Sequence, residues 1–268
     1  MSHVDPARRV AVFGGVYNNW LALEAVLADA RAAGAGRVYC LGDVGAFGPY
    51  PDRSIELLRA ADVPTVQGNY DHSVGHGLED CQCGYSDPRD NHFAAISYDY
   101  TLRHTGEENR AWLRALPREI RTSLGTSRLL LCHGSPRRTN EFLWESTTPA
   151  PFIRRLLDEG EADVVVCTHT GLPWFRFLEG EARGLVNVGA IGRPDNDGDP
   201  AVHYALLTAA PAGPPAVEIR RVEYDHEHLA REMEREGILA EFVETTRTGW
   251  WTTCLEVLPA KERARSRF

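Results

Sequence analysis

Short apolar runs alternate with amphipathic segments along the first 70 residues of the chain. The runs at 9–13, 37–41 and 64–67 predict three strands, and the segments at 20–33 and 54–61 have the apolar spacing of helices. This β-α-β-α-β order, with its short connections, favours an α/β layered fold.

The remainder of the chain continues the pattern with further strands and helices. The spacing predicts helices at 91–103, 107–116, 151–158 and 225–246, a hairpin over 122–131, and strands at 163–167, 184–188, 203–207 and 217–224. A polar, turn-rich stretch at about 73–90 predicts an inserted loop. We therefore expect one domain over residues 1–248, followed by a C-terminal tail at 249–268 with a basic, mobile end.

Four metal-binding residue types lie at or just beyond the ends of strand-like runs: Asp43, Asn69, His133 and His169. Open α/β sheets place ligands at the carboxyl ends of their strands, so these side chains are expected to meet. Two imidazoles and two oxygen donors suit a borderline divalent metal, with Fe, Mn and Zn all acceptable.

The segments around these residues resemble those of the calcineurin-like metallophosphoesterases. Segments 42–49, 133–136 and 187–194 are similar to blocks of the small prokaryotic phosphoesterase branch of that family, and the resemblance covers roughly residues 9–248. It implies an α/β fold, with a sandwich of two β-sheets flanked by helices, and a metal-dependent hydrolase.

The resemblance also implies that half of a two-metal centre is missing. Gly15 and Tyr17 stand where the family has the Asp and His of its first motif, and Gly171 stands where it has a second His after His169. The ligands exclusive to one metal are thus replaced, whereas the set for the other is complete. We predict a site for one divalent transition metal, held by Asp43, Asn69, His133 and His169.

Further residues near the motifs are candidates for catalysis and substrate binding. His72 is predicted to be a general acid, and Tyr70, which replaces a His common in the family, is a second catalytic candidate. Neutral donors in the emptied half-site suit a substrate hydroxyl or sugar, and arginines in the motif loops suit phosphate. The predicted substrate-binding residues are Tyr17, Asn18, Asn19, Arg137, Arg138 and Arg193.

Composition limits which binding partners and which cellular compartment are expected. The net charge of −9 argues against a broad nucleic-acid surface, and there is no apolar run long enough to span a membrane. The polar N-terminus lacks a signal-peptide pattern, so a cytoplasmic protein is expected. The six cysteines are not read as a disulfide framework. Cys81 and Cys83 are candidates for a second metal site or a redox pair, but a spacing of one residue fixes no ligand geometry by itself, and the main centre is not expected to need them.

Three functions remain open from the sequence. The first is a one-metal phosphoesterase acting on a small phosphorylated metabolite, such as a nucleotide or sugar phosphate. The second is a metal-dependent lyase or non-phosphate hydrolase that uses the vacated half-site for its substrate. The third is a non-catalytic metal-binding or regulatory protein. The sequence does not predict the oligomeric state.

Overall fold

Two β-sheets pack face to face between layers of helices in the computed structural model, which describes residues 8–266. The strands are β1 Arg9–Phe13, β2 Arg37–Cys40, β3 Glu119–Leu124, β4 Ser127–Cys132, β5 Val164–Cys167, β6 Pro173–Phe177, β7 Gly184–Val188, β8 Val202–Thr208 and β9 Ala216–Val222. The helices are α1 Trp20–Ala32, α2 Pro51–Ala60, α3 Asn69–His76, α4 Pro88–His104, α5 Glu107–Ala115, α6 Ala150–Glu159, α7 His226–Arg235, α8 Ala240–Thr248 and α9 Ala260–Arg263.

The order of strands confirms the predicted fold class. One sheet has the order β2-β1-β8-β9, and the other has the order β3-β4-β5-β7-β6. Strand β1 is parallel to β2, and β4, β5 and β7 are parallel to one another. Because parallel strands end at the same edge of a sheet, the loops that follow them are brought together there.

Alternating side chains of the central strands serve two different cores. In β1, Val10 and Val12 belong to the core between the sheets, whereas Ala11 and Phe13 pack with helix α1. Strand β4 does the same on the other side, where Leu130 joins the core beneath α6. A strand buried on both faces is apolar at every position, which is why these runs are continuous in the sequence.

The structure differs from the sequence prediction at several elements. Residues 64–67 form no strand, only a single bridge between Cys40 and Thr65. The long helix predicted at 225–246 is two helices, α7 and α8, because Gly237 takes a left-handed φ of 69° between them. Strand β6 and the short helix α9 were not predicted, since neither has a clear periodic pattern.

The prediction of a mobile C-terminal end is wrong for the part that the structure describes. Trp251, Leu255 and Leu258 are buried together with Trp144 in a cluster of their own. The predicted insertion at 73–90 is also narrower, because α3 continues to His76 and α4 begins at Pro88. Residues 1–7, which hold most of the polar N-terminal stretch, and residues 267–268 of the tail lie outside the described range. Across residues 8–266, no helix combines the length and the apolar character that a membrane span requires.

Candidate metal centre

Three predicted ligands meet where the loops after β2, β4 and β5 converge. Potential ligand atoms of Asp43, His133 and His169 all lie within 4.8 Å of one another, and all three side chains are buried. Asp43 and His169 have left-handed backbones, with φ of 52° and 72°. Such conformations cost on the order of 1–3 kcal/mol each and cluster at functional sites.

The ring of His133 is oriented by the backbone. Its Nδ1 lies 2.7 Å from the carbonyl oxygen of Leu41, which can only accept, so Nδ1 carries a proton. In the neutral ring, Nε2 is then an acceptor. It lies 3.1 Å from Asp43 Oδ2 and 3.1 Å from His169 Nδ1. A cation shared between these atoms, either a proton or a metal, stabilises such a convergence of electron-rich groups.

The pKa values of the three side chains follow from their burial and mutual charge. Burial alone lowers the pKa of His133, but the Asp43 carboxylate outweighs it and raises that pKa. Burial likewise raises the pKa of Asp43, and His133 outweighs it in the opposite direction. Burial and the adjacent His133 lower the pKa of His169 to about 3. Without a metal, the mutual charge of the pair thus favours an ionised Asp43 and a protonated His133.

The amide of Asn69 is held with its oxygen free. Its Nδ2 donates to the carbonyl of Cys81 at 2.9 Å and contacts Cys83 Sγ at 3.5 Å, whereas its Oδ1 is buried without a hydrogen-bond partner. Buried polar atoms without partners are rare, and each requires an explanation. The backbone N–H of Tyr70 donates to Asp43 Oδ1 at 3.0 Å, which joins the two loops. A free amide oxygen, a carboxylate and two imidazoles fit a divalent metal.

Hydrogen bonds to the Asp71 carboxylate connect the loop that carries Asp43 with the segment that begins at Gly68. Oδ2 accepts the backbone N–H groups of Asp43 and Gly68, each at 2.8 Å, and Oδ1 accepts that of Val44 at 2.9 Å. Burial and the nearby Asp43 raise the pKa of Asp71 to about 6. Sequence reasoning did not select Asp71, although its position three residues after Gly68, at the start of α3, is typical of a capping carboxylate.

Two aromatic rings occupy the half of the centre that lacks its ligands. A Cβ added to Gly15 would lie 2.8 Å from Cζ of Tyr17, and one added to Gly171 would lie 3.2 Å from Cη2 of Trp251. The Arg193 guanidinium lies 3.7 Å from the centre of the Trp251 ring. Burial, together with Asp43, raises the pKa of Tyr17, so its phenol stays neutral. This half is therefore packed with rings.

The Cys81–Cys83 segment lies closer to the centre than expected. The two cysteines form a disulfide, which corresponds to the redox-pair interpretation and not to a second metal site. Through the contacts of Asn69 with Cys81 and Cys83, the segment touches a predicted metal ligand. The contact does not test whether the main centre needs this segment, so its dispensability for metal binding stays a prediction.

Several predicted substrate or catalytic residues have structural partners within the fold. Asn18 Nδ2 donates to the Gly48 carbonyl at 2.8 Å, and Asn19 Oδ1 accepts the N–H of Ala22 at the start of α1. The Tyr70 hydroxyl, which is buried, lies 3.2 Å from Ser97 Oγ. These contacts engage one atom of each side chain, whereas Asn18 Oδ1 is buried without a hydrogen-bond partner, and the functional roles of the three residues stay predictions.

Two of the predicted arginines are also engaged elsewhere. Arg137 lies 3.9 Å from both Glu141 and Glu159. Arg193 is buried and donates to the Thr253 carbonyl. Both guanidinium groups thus already have partners in the fold, and their roles in substrate binding stay predictions.

His72 and Arg138 occupy a more open position. Both line a cavity of about 250 Å³ that also includes the predicted ligand Asn69. Arg118, which sequence reasoning missed, lines the same cavity. Burial and the neighbouring His76 and Arg118 lower the pKa of His72. The structure thus brings one predicted catalytic residue and one predicted substrate residue beside the metal centre.

The chain belongs to the calcineurin-like phosphoesterase superfamily, because residues 9–211 match the family's domain model. It is 27% identical over 229 residues to an uncharacterized protein of Methanocaldococcus jannaschii, covering 81% of this chain and 88% of that protein.

Two solved structures resemble the chain over most of its length. A metallophosphoesterase from Sphaerobacter thermophilus is 26% identical with a TM-score of 0.67, covering 90% of this chain and 99% of the other. A hypothetical protein from Pyrococcus horikoshii is 21% identical with a TM-score of 0.75, covering 91% and 99%. These likenesses confirm the sandwich fold and agree with a hydrolase family, while leaving the substrate of this chain open.

Proposed function

We propose that this protein is a phosphoesterase that uses a single divalent transition metal to hydrolyse a small phosphorylated metabolite. The observation that carries the proposal is the convergence of Asp43, His133 and His169 beside the unpartnered oxygen of Asn69. Aromatic rings in the other half of the centre support one metal and not two. A metal held by these four residues would supply Lewis-acid stabilisation of a phosphoryl oxygen.

The proposal assigns the other steps of binding and catalysis to individual residues of the chain. Asp43 supplies the negative charge of the centre, and the Leu41 carbonyl fixes the ring of His133 so that Nε2, which lies beside Asp43 and His169, is the nitrogen that would hold a metal. Among the residues that line the cavity, His72 is the proposed proton donor to the leaving oxygen. The packing of Phe142 against the ring of His169, with centroids 4.4 Å apart, limits access of water from that side.

The packed half-site disfavours the second function considered from the sequence. A lyase or non-phosphate hydrolase that holds its substrate beside Tyr17 and Gly171 needs space that the rings of Tyr17 and Trp251 occupy. A non-catalytic role is the remaining alternative. Because the net charge is −9, we extend the proposal to a small-molecule substrate in the cytoplasm and not to nucleic acid.

Metal analysis and phosphate release test the proposal together. Protein purified anaerobically should contain close to one metal atom per chain and release phosphate from at least one nucleotide or sugar phosphate in a substrate panel. His133→Ala should lose the metal and at least about 100-fold in activity, since changes to the outer shell alone cost about 10- to 100-fold.

His92→Ala is the matched control, because His92 is exposed and remote from the predicted ligands. Its metal content and activity should equal those of the unmodified protein. Two metals per chain, or full metal content in His133→Ala, would contradict the one-metal assignment. Bound metal without phosphate release from any substrate would favour a non-catalytic role.

A further inference from the structure

The cavity beside Asn69 meets the metal centre only at its edge. Of the four predicted ligands, Asn69 lines the cavity of about 250 Å³, whereas Asp43, His133 and His169 do not. A group bound deep in this cavity is therefore displaced from a phosphoryl group held against the other three ligands. The cavity has room for a part of the substrate other than the reacting group.

The cavity is positively charged, although the protein as a whole is acidic. Arg118 and Arg138 line it, and no aspartate or glutamate does so among the described residues. Neither guanidinium has an ion pair or hydrogen bond with another residue in the range 8–266. By contrast, Arg114 pairs with Glu107, and Arg137 lies near Glu141. The two cavity arginines are thus left free to bind an external anion.

Hydrogen bonds between loops hold the walls of the cavity in place. Asn140 Nδ2, from the loop after β4, donates to the carbonyl of Gln82 at 3.0 Å. Gln67 Nε2 donates to the carbonyl of Leu113 at 2.8 Å and so joins the segment before α3 to α5. A site whose walls are already fixed loses less conformational entropy on binding than one that must form around its ligand.

We propose that Arg118 and Arg138 bind a second, non-reacting phosphoryl group, so that the substrate is a small molecule with two phosphoryl groups. The proposal rests on the proposed phosphoesterase function and specifies its substrate class. Two guanidinium groups match the charge of about −2 on a phosphate monoester, and each can donate two parallel hydrogen bonds to its oxygens. A carboxylate, with one charge, would leave one arginine without a counterion.

Binding to the metal-free protein tests the cavity independently of catalysis. Fructose 1,6-bisphosphate and fructose 6-phosphate serve as probes with two phosphoryl groups and one, and titration calorimetry measures their affinities. Both probes should bind to the cavity of the metal-free protein through one phosphoryl group, and Arg118→Gln and Arg138→Gln should each weaken that binding by roughly tenfold, the scale of a lost charge-assisted hydrogen bond. Arg31→Gln is the matched control, because Arg31 is exposed and lines a different cavity.

Turnover by the metal-loaded protein separates this proposal from the broader function. The kcat/KM for the bisphosphate should fall roughly tenfold in each cavity variant, while that for the monophosphate stays within about twofold. Equal losses for both substrates would overturn the proposal, since the arginines would then bind the reacting group. No arginine dependence of binding to the metal-free protein would also overturn it. Arginine-dependent binding without any hydrolysis would instead contradict the phosphoesterase function and leave the cavity as a bisphosphate site.

Discussion

The two halves of the centre lie at the ends of the same sheets but are completed by different chemistry. In one half, Asp43, His133 and His169 direct polar atoms toward a common point, and Asn69 keeps an oxygen without a partner. In the other, the rings of Tyr17 and Trp251 cover glycines. Both rings are buried, and each lies beside a glycine at a position where the family has a ligand.

The comparison also explains why restoring the family's ligands requires more than adding donors. Gly15 and Gly171 have left-handed backbones, with φ of 55° and 76°, which strain most side chains. A histidine at position 171 would meet the Trp251 ring within 3.2 Å of its Cβ. Rebuilding the second metal site therefore also requires the Trp251 ring to shift.

The largest effect is expected from removing a ring in the packed half. Trp251→Ala should lower the free energy of unfolding by about 3–5 kcal/mol, the usual range for a buried Trp, and leave metal affinity nearly unchanged. Trp251 is 2% exposed and donates its indole N–H to the Pro194 carbonyl at 2.7 Å. Urea unfolding of the metal-free protein and a metal titration measure the two quantities.

The neighbouring Trp250 provides a control of the same residue type. Because Trp250 is partly exposed, Trp250→Ala should cost clearly less than Trp251→Ala. If Trp251→Ala instead abolished metal binding in a folded protein, the two halves would be coupled and the comparison drawn above would fail.

An intermediate effect is expected for Asp71, whose carboxylate connects the two ligand loops. Asp71→Asn replaces one acceptor oxygen by an NH₂ group that faces backbone N–H donors, so it should weaken metal affinity by about 10- to 100-fold. Competition with a metal-binding dye measures the affinity. Asp87→Asn changes a capping carboxylate in the same way at the exposed start of α4, away from the centre, and should leave affinity unaltered. An unchanged affinity in Asp71→Asn would show that the loops keep their positions without it.

The smallest effect is expected at the disulfide. Cys81→Ser combined with Cys83→Ser should weaken metal affinity by less than about tenfold, because the main partner of Asn69 Nδ2 is the backbone carbonyl of Cys81, which the substitutions retain. The same dye competition applies, with the unmodified protein measured after reduction as a comparison. A loss equal to that of Asp71→Asn would show that the covalent link itself positions Asn69.

Local pattern in the sequence was sufficient for the ligand half but not for the packed half. Strand ends and residue type selected Asp43 and His133, because parallel strands deliver the residues after them to one edge. Trp251 is separated from Gly171 by 80 positions, and its polar surroundings resemble a tail. The contact depends on tertiary packing, which has no periodic signal.

The two cavity arginines likewise depend on tertiary packing that the sequence pattern does not predict. Arg138 follows the motif at His133 and was selected for that reason, whereas Arg118 lies between α5 and β3 with no motif beside it. Arg137 and Arg138 are neighbours in the sequence, yet only Arg137 has acidic partners in the structure. Which of two adjacent arginines is free depends on the direction of each side chain, and that direction is set by packing.

Because Trp251 lies late in the sequence, it is synthesised after the residues of the ligand half. The strands and loops that supply Asp43 to His169 are complete long before residue 251 leaves the ribosome. A nascent chain that ends before this residue has the ligand half but exposes the glycine surface that Trp251 later covers. All four predicted ligands are therefore synthesised before the ring that covers Gly171.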